Sequence, residues 1–483
     1  MRVRSGGTVA RMNPTAHSPL KALPALLAGA VMVVLDFFIV NVALPSIAVD
    51  LHASASALIW VVAGYGLSFA ALLILAGRAG DRFGRRRVYL AGLVVFTLAS
   101  AACGVAPTTE TLIAARFVQG AAGAFVMPQI LAIIATFPGD VYARALSIYG
   151  MVLGLAAVGG QVVGGALVEG NVAGLGWRAC FLINVPIGVV ALVATPKLVP
   201  ESHAPSGTRL DLVGAALLAA GLSAILLPLV EGRQYGWPLW TWISLAAADV
   251  ILAGFVMHQR RKARAGTDPL FNLRLLRNRA LSGGLLAHLA LASAQAAFFV
   301  YLALYLQDGR GLRPLEAGLV FTLVAVGYVA ASGPAPALVE RHGRAVIVAG
   351  GVSLAAGLGL LAVAVAEVGV GGSVVALMPG LLLAGVGIGL AYTPITATVM
   401  SSVTPAQGGA VAGAVATIQQ VGYAVGVAVT GVIYFAHGGS GIGHAFELSL
   451  VELAALGGVL IAATRLLPGG SRLSAETAAA ASA

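Results

Sequence analysis

Charge is the scarcest property of this sequence. Asp, Glu, Lys and Arg make up 10% of its 483 residues, apolar residues make up 59%, and the mean hydropathy is +0.95. Soluble domains carry roughly 25% charged residues, so this makeup excludes a water-soluble fold and requires an integral membrane protein. Lysine is rarer still. The three that occur, Lys21, Lys197 and Lys262, lie in no GxxxxGKS/T loop, which excludes ATP drive through a P-loop. HExxH and GxSxG are absent, and no polar stretch is long enough to fold as a domain outside the membrane, which excludes a membrane enzyme or a receptor with a ligand-binding domain. No cofactor and no metal are expected. The two cysteines, Cys103 and Cys180, fall near the outer ends of their spans and read as buried small hydrophobes rather than a disulfide.

What the sequence has in abundance is long apolar runs. A membrane helix needs about 20 mostly apolar residues, which places spans at 22–46, 57–76, 88–106, 111–135, 145–169, 178–195, 211–230, 239–257, 280–306, 315–337, 345–366, 374–397, 408–435 and 446–467. The first run follows Arg2, Arg4, Arg11 and Lys21 but lacks a small-residue cleavage site, so it reads as a retained span rather than a signal peptide. Fourteen spans put both termini on one side. That side then holds 23 of the 28 Lys and Arg residues, the other side holds Arg178, Arg233, Arg310 and Arg313, and Arg116 alone is left within a span away from its ends. By the positive-inside rule both termini are expected in the cytoplasm. The net charge of +10 then reflects orientation in the lipid bilayer rather than binding to nucleic acid.

Between spans 2 and 3 stands GRAGDRFGRRRVYLAG (Gly77–Gly92), with Arg78, Arg82, Arg85, Arg86, Arg87 and Asp81 close together. It is expected as a loop at the membrane face, and Gly77, Asp81, Arg82, Gly84 and Arg85 as a conformational latch. The glycines would allow a tight turn, and Asp81 would accept from the N–H groups at a helix start or pair with an arginine. Gly333–Gly351 is a thinned copy, with Glu340 and Arg341 at the places of Asp81 and Arg82, and Gly343 and Arg344 at those of Gly84 and Arg85. Internal repeats of this kind build transporters from two bundles around a midplane site. The expected fold is an all-α integral membrane protein: a cytoplasmic tail (1–21), a six-helix bundle (22–195), two inserted transmembrane helices with linkers (196–279), a second six-helix bundle (280–467) and a cytoplasmic tail (468–483).

A charge inside hydrocarbon costs about 2.5–3.5 kcal/mol at a helix centre, so each one needs a reason. Asp36 lies in the outer half of span 1, and Arg116 near the outer start of span 4, at a similar depth. Asp36 is expected to take up and release a coupling proton, with Arg116 or a cationic substrate competing for its carboxylate; the alternative is a fixed structural pair, or an Arg116 that snorkels outward. Asp249 and Glu452 read as structural partners and His288 as a helix-packing histidine, each with an alternative place in a proton path. Asn41, Tyr65, Gln119, Gln129 and Gln161 are candidates for lining a cargo cavity. Gly154, Gly160, Gly164 and Gly165 in span 5 would let two helices approach closely and the interface rock.

Taken together, GRAGDRFGRRR, LDFFIVNVALP around Asp36, RFVQGAAGAFVMP (Arg116–Pro128) and GWRACFLINVPIG (Gly176–Gly188) resemble the major facilitator superfamily, and the span count resembles its fourteen-helix drug:proton antiporter branch. One position departs: Gln161 follows Gly160, where antiporters of the branch place a proline. The resemblance implies alternating access between two bundles, driven by the proton gradient and exporting drugs, antibiotics or other lipophilic or cationic small molecules across the plasma membrane. The alternative on the same fold is an importer or uniporter of a small nutrient. A monomer is expected.

Overall fold

Backbone amides cannot go unpaired in hydrocarbon, so an isolated apolar run of spanning length has to fold as helix. The computed structural model of the chain describes residues 19–202, 210–267, 269–270, 273–403, 405–437 and 441–467. The tail 468–483 and all but the last three residues of the tail 1–21 lie outside them. The helices are α1 (Leu23–Asp50), α2 (Ala55–Phe83), α3 (Arg85–Gly104), α4 (Thr109–Ile134), α5 (Gly139–Gly170), α6 (Ala179–Leu182), α7 (Asn184–Leu198), α8 (Leu212–Glu231) and α9 (Leu239–Arg264). They continue with α10 (Arg279–Leu304), α11 (Pro314–Ser332), α12 (Ala335–His342), α13 (Ala345–Val368), α14 (Met378–Ser401), α15 (Pro405–Ala436) and α16 (Ile442–Ala463). Among the described residues, fourteen helical stretches are long and apolar enough to cross a membrane, α6 and α7 together forming the sixth.

The arginine-rich stretch is mostly helix rather than loop. α2 runs through Gly77, Asp81 and Arg82 to Phe83, and α3 restarts at Arg85, leaving Gly84 alone outside, at φ 102°. Charged side chains do not stop a helix, and Asp81 pairs with Arg85 one turn on, at 3.0 Å. The backbone turns only where a residue without Cβ permits the left-handed region. Gly343 does the same between α12 and α13, at φ 57°, so the two halves share this corner. Span 10 ends at Ser332, short of 337, because Pro334 follows.

Two six-crossing bundles result, with an inserted pair. In the first bundle α1 packs on α5 and α7, and α4 on α2 and α3; in the second α10 packs on α15 and α16, and α14 on α11 and α13. The bundles meet along two seams, α2 with α15 and α5 with α11. α8 touches both α2 and α15, and α9 packs on α8. At the face opposite the termini the seams are tied by polar contacts: Arg313 Nη1 to Glu169 Oε1 at 2.8 Å, Leu315 N to Glu169 Oε2 at 3.3 Å, and Gln307 Nε2 to the carbonyl of Val42 at 2.9 Å.

Candidate functional site

Arg116 is the largest fully buried side chain among the described residues, and Asp36 beside it is equally closed to solvent. α1 and α4 bring them together: Arg116 Nη1 donates to Asp36 Oδ2. Oδ1 of the same carboxylate accepts from Gln119 Nε2 at 2.8 Å and from Asn184 Nδ2 at 2.8 Å. Both amides also donate to Ser100 Oγ, at 3.0 and 2.9 Å, and Ser100 donates on to the carbonyl of Phe181 at 2.9 Å. Arg116 Nε donates to the carbonyl of Val61 at 2.9 Å, Nη1 also to Gln119 Oε1 at 2.8 Å, and the guanidinium lies 4.3 Å from the ring centroid of Tyr65. The carboxylate is therefore held by three donors from two helices. Arg116 Nη2 and Asn184 Oδ1 are buried without partners among the described residues, so the cluster keeps one donor and one acceptor in reserve.

Four of the residues singled out in the sequence (Asp36, Tyr65, Arg116, Gln119) thus meet in one place. Asn184 and Ser100 complete it and were not singled out, although Asn184 stands within the GWRACFLINVPIG motif. An amide at mid-span, at the depth of Asp36, is the signal that would have found it. Cys103 also belongs here, its thiol donating to Gln119 Oε1 at 3.5 Å; Cys180 donates to the carbonyl of Gly164 at 3.8 Å, and both cysteines are free and buried.

The other candidates are spread out. Gln129 Nε2 donates to the carbonyl of Ala76 at 2.8 Å, tying α4 to α2 near the face that carries the termini. Gln161 is buried with neither amide atom partnered, and Asn41 Oδ1 is likewise unpartnered. Along α5, Gly160 and Gly164 face α1: a methyl at Gly164 would stand 2.9 Å from the carbonyl oxygen of Ile39, and one at Gly160 would stand 3.2 Å from that of Leu35. Gly165 faces α11 across the seam, where a methyl would lie 2.5 Å from the Pro314 carbonyl oxygen, and Gly154 faces Tyr328 of the same helix at an ordinary 3.6 Å.

Around Gly84 the contacts join the first bundle to the linkers of the inserted pair: Arg78 donates to the carbonyl of Pro269, and Arg85 N to that of Ser202 at 3.0 Å. Gly77 passes Pro128 at van der Waals distance, and Arg82 lies over the Phe83 ring at 5.2 Å. Arg85 bonds Asp81 and, through Nη1, the carbonyl of Ala132 at 2.9 Å. The N–H groups that open α3 are capped by Glu201, which accepts from Arg86 N at 2.9 Å and Arg87 N at 3.3 Å; this residue was not singled out either.

Of the remaining titratable groups, Glu452 accepts from Thr430 Oγ1 at 2.8 Å between α16 and α15, and Asp249 is exposed on α9. Asp211 caps α8 and binds α9 through His258 Nε2 and Gln259 Nε2, both at 2.9 Å, with Lys262 Nζ at 3.5 Å. Burial pushes its carboxyl up, but the bonds from His258, Gln259 and the Gly214 N–H, with the charge of Lys262, outweigh that and hold it well below the usual carboxylate range.

A second polar group lies in the second bundle. Gln419 Nε2 donates to the phenol oxygens of Tyr392 at 2.7 Å and Tyr423 at 2.8 Å, and His288 packs edge-on to Tyr392 and shares a 3.0 Å hydrogen bond with Thr396. Tyr423 stacks on Phe37, next to Asp36, with centroids 4.8 Å apart, and Phe38 meets Phe299 at 5.6 Å. The immediate neighbours of the buried carboxylate are therefore the contacts between bundles.

The profile of the Major Facilitator Superfamily matches residues 26–427. A probable actinorhodin transporter of Streptomyces coelicolor is 37% identical, over 95% of this chain and 81% of its own. A methylenomycin A resistance protein of the same organism is 32% identical, over 95% and 94%. A tetracenomycin C resistance and export protein of Streptomyces glaucescens is 34% identical, over 86% and 78%. Among solved structures, a bacterial homologue of the human lysosomal transporter Spinster aligns with a TM-score of 0.66 at 15% identity, covering 94% of this chain and 98% of that one; that likeness concerns the fold.

Proposed function

The chain belongs to the major facilitator superfamily, a membrane transport protein rather than an enzyme, and from that premise we propose that it exports lipophilic small molecules across the plasma membrane in exchange for protons. The observation that carries the reading is the sealed Asp36–Arg116 pair. A carboxylate at mid-depth with no route to bulk water has a reason to be there if it loads and unloads a proton during a cycle. The names of the relatives support export of antibiotics as cargo.

A proton arriving on Asp36 cancels the charge that holds α1 to α4 and α7 through Arg116, Gln119 and Asn184. Relaxation of α1 then reaches the other bundle through Phe37 and Phe38. The glycine face of α5 on α11 is the surface on which the bundles rock. With the termini in the cytoplasm, the Glu169–Arg313 pair is an outer gate, closed here and broken when the cargo is released outward. No cofactor takes part, and one chain suffices.

The test is efflux from cells loaded with a panel of fluorescent lipophilic compounds, some neutral and some cationic. Wild type should export at least one, an uncoupler should abolish that export, and Asp36→Asn present at normal membrane levels should fail. Export that survives either the uncoupler or the substitution refutes proton coupling through Asp36.

A further inference from the structure

None of the carboxylates Asp36, Glu452 and Asp249 offers a free negative charge to the surface between the bundles. Asp36 is occupied by Arg116, Gln119 and Asn184; Glu452 turns to Thr430 between α15 and α16; Asp249 is on the outside of the inserted pair. At the depth of Asp36 a cationic cargo would find no counter-ion among these three without dismantling the buried pair.

What the interface does offer is phenols and amides. Gln419 donates to the oxygens of both Tyr392 and Tyr423, so each phenol keeps its own proton to give, and among the described residues neither proton has an acceptor. Gln420 Oε1 and Thr417 Oγ1, within a turn of Gln419 on α15, are buried and unpartnered. This face of α15 looks across the seam: Gln420 O lies 3.6 Å from where a methyl on Gly66 of α2 would stand, and Tyr423 stacks on Phe37. Tyr392, Gln419 and Gln420 nevertheless stay half-buried at mid-helix, which is how side chains bordering a space between bundles behave.

We propose that the cargo is an uncharged planar aromatic bearing both carbonyl and hydroxyl groups, received by Phe37 on one side and Tyr392, Gln419, Gln420 and Tyr423 on the other. Its carbonyl oxygens take the free phenol protons, its hydroxyls donate to the amide oxygens of α15, and its ring plane stacks on the aromatic faces. Organic cations are excluded as preferred cargo. The inference rests on the reading of the protein as an exporter, and it narrows the cargo of that same pathway.

Binding to purified protein in detergent, without any gradient, tests it independently of proton coupling. The probes are a neutral dihydroxyanthraquinone and ethidium, a permanent cation, and their displacement of each other is followed by fluorescence. The anthraquinone should bind to wild type at least about tenfold more tightly than ethidium. Tyr392→Phe, which deletes one donor and keeps the ring, and Gln419→Leu should each weaken it by about three- to tenfold, the value of one hydrogen bond, with ethidium unaffected. Equal or tighter binding of ethidium, or anthraquinone affinity unmoved in both variants, overturns the proposal. If the binding pattern holds while efflux proves insensitive to the uncoupler, the proton-coupled reading fails and the cargo assignment stands.

Discussion

Removal of one member of the buried pair should cost far more than removal of both. In Asp36→Leu the guanidinium of Arg116 keeps the Val61 carbonyl, Gln119 Oε1 and the face of Tyr65 at 4.3 Å, but it has no counter-charge. In Arg116→Met the carboxylate keeps Gln119 and Asn184 and loses its only cation. Leaving a buried charge unpaired costs about 3–5 kcal/mol, whereas replacing the whole pair by apolar groups of similar size is close to neutral. The double variant leaves mainly the Val61 carbonyl unmade, about 1 kcal/mol. The non-additivity should therefore reach at least about 2 kcal/mol in a double-mutant cycle. The assay is reversible unfolding in mixed micelles of purified wild type, both single variants and the double. Transport measured alongside separates structure from function, because the double variant should fold well and export nothing. Single variants that unfold with wild type, or costs that simply add, would refute the reasoning.

Other expectations follow from the same geometry. Gly164→Val should lower the amount of folded protein and its thermal stability, since a Cβ there stands 2.8 Å from Ile39 Cγ1, while Gly150→Ala, with open space around it, should be neutral; expression and melting in detergent report both. Glu169→Cys with Arg313→Cys, bridged by a reducible bifunctional thiol cross-linker about as long as the lost ion pair, should stop export and a reductant should restore it, because the pair must part in each cycle; full activity of the cross-linked form would remove the gate. Asp211→Ala should destabilise by about 1–2 kcal/mol through the lost cap. Because the folded carboxyl titrates below the ordinary value of about 3.9, its contribution is complete above that pH and is lost as pH falls toward the folded value. Melting curves of wild type and Asp211→Ala should therefore keep a constant separation from pH 8 to about 5 and converge below about 4.

The crossings could be read from sequence because hydrocarbon imposes one rule on every residue within it, and apolar length satisfies that rule without reference to neighbours. The Asp36–Arg116 pair was legible for the same reason, two charges at one depth in spans that enter from opposite sides. Asn184 and Ser100 were not, since a single amide or hydroxyl in an apolar helix has a depth but no readable angle, and angle decides whether it meets Asp36. The same holds for Tyr392 on α14 and Gln419 and Tyr423 on α15, which meet only when the two helices pack. Glu201 was missed because it sits in a linker, where charge has no burial cost to explain. The arginine-rich corner shows the converse error: charge density marks the edge of the membrane, but only Gly84 marks the end of the helix.

The inserted pair gives the molecule two unequal flanks. α8 roofs the α2–α15 seam, whereas the α5–α11 seam is bordered by outward-facing Met151, Leu155, Val326 and Val329. A solute already dissolved among lipid tails consequently lies beside one uncovered seam rather than two. Partitioning into the bilayer concentrates apolar compounds there before any protein is involved, so the seam next to Gly154 and Tyr328 has the larger supply. In the proposed export cycle, the uncovered α5–α11 seam is the one that a lipid-dissolved compound would reach.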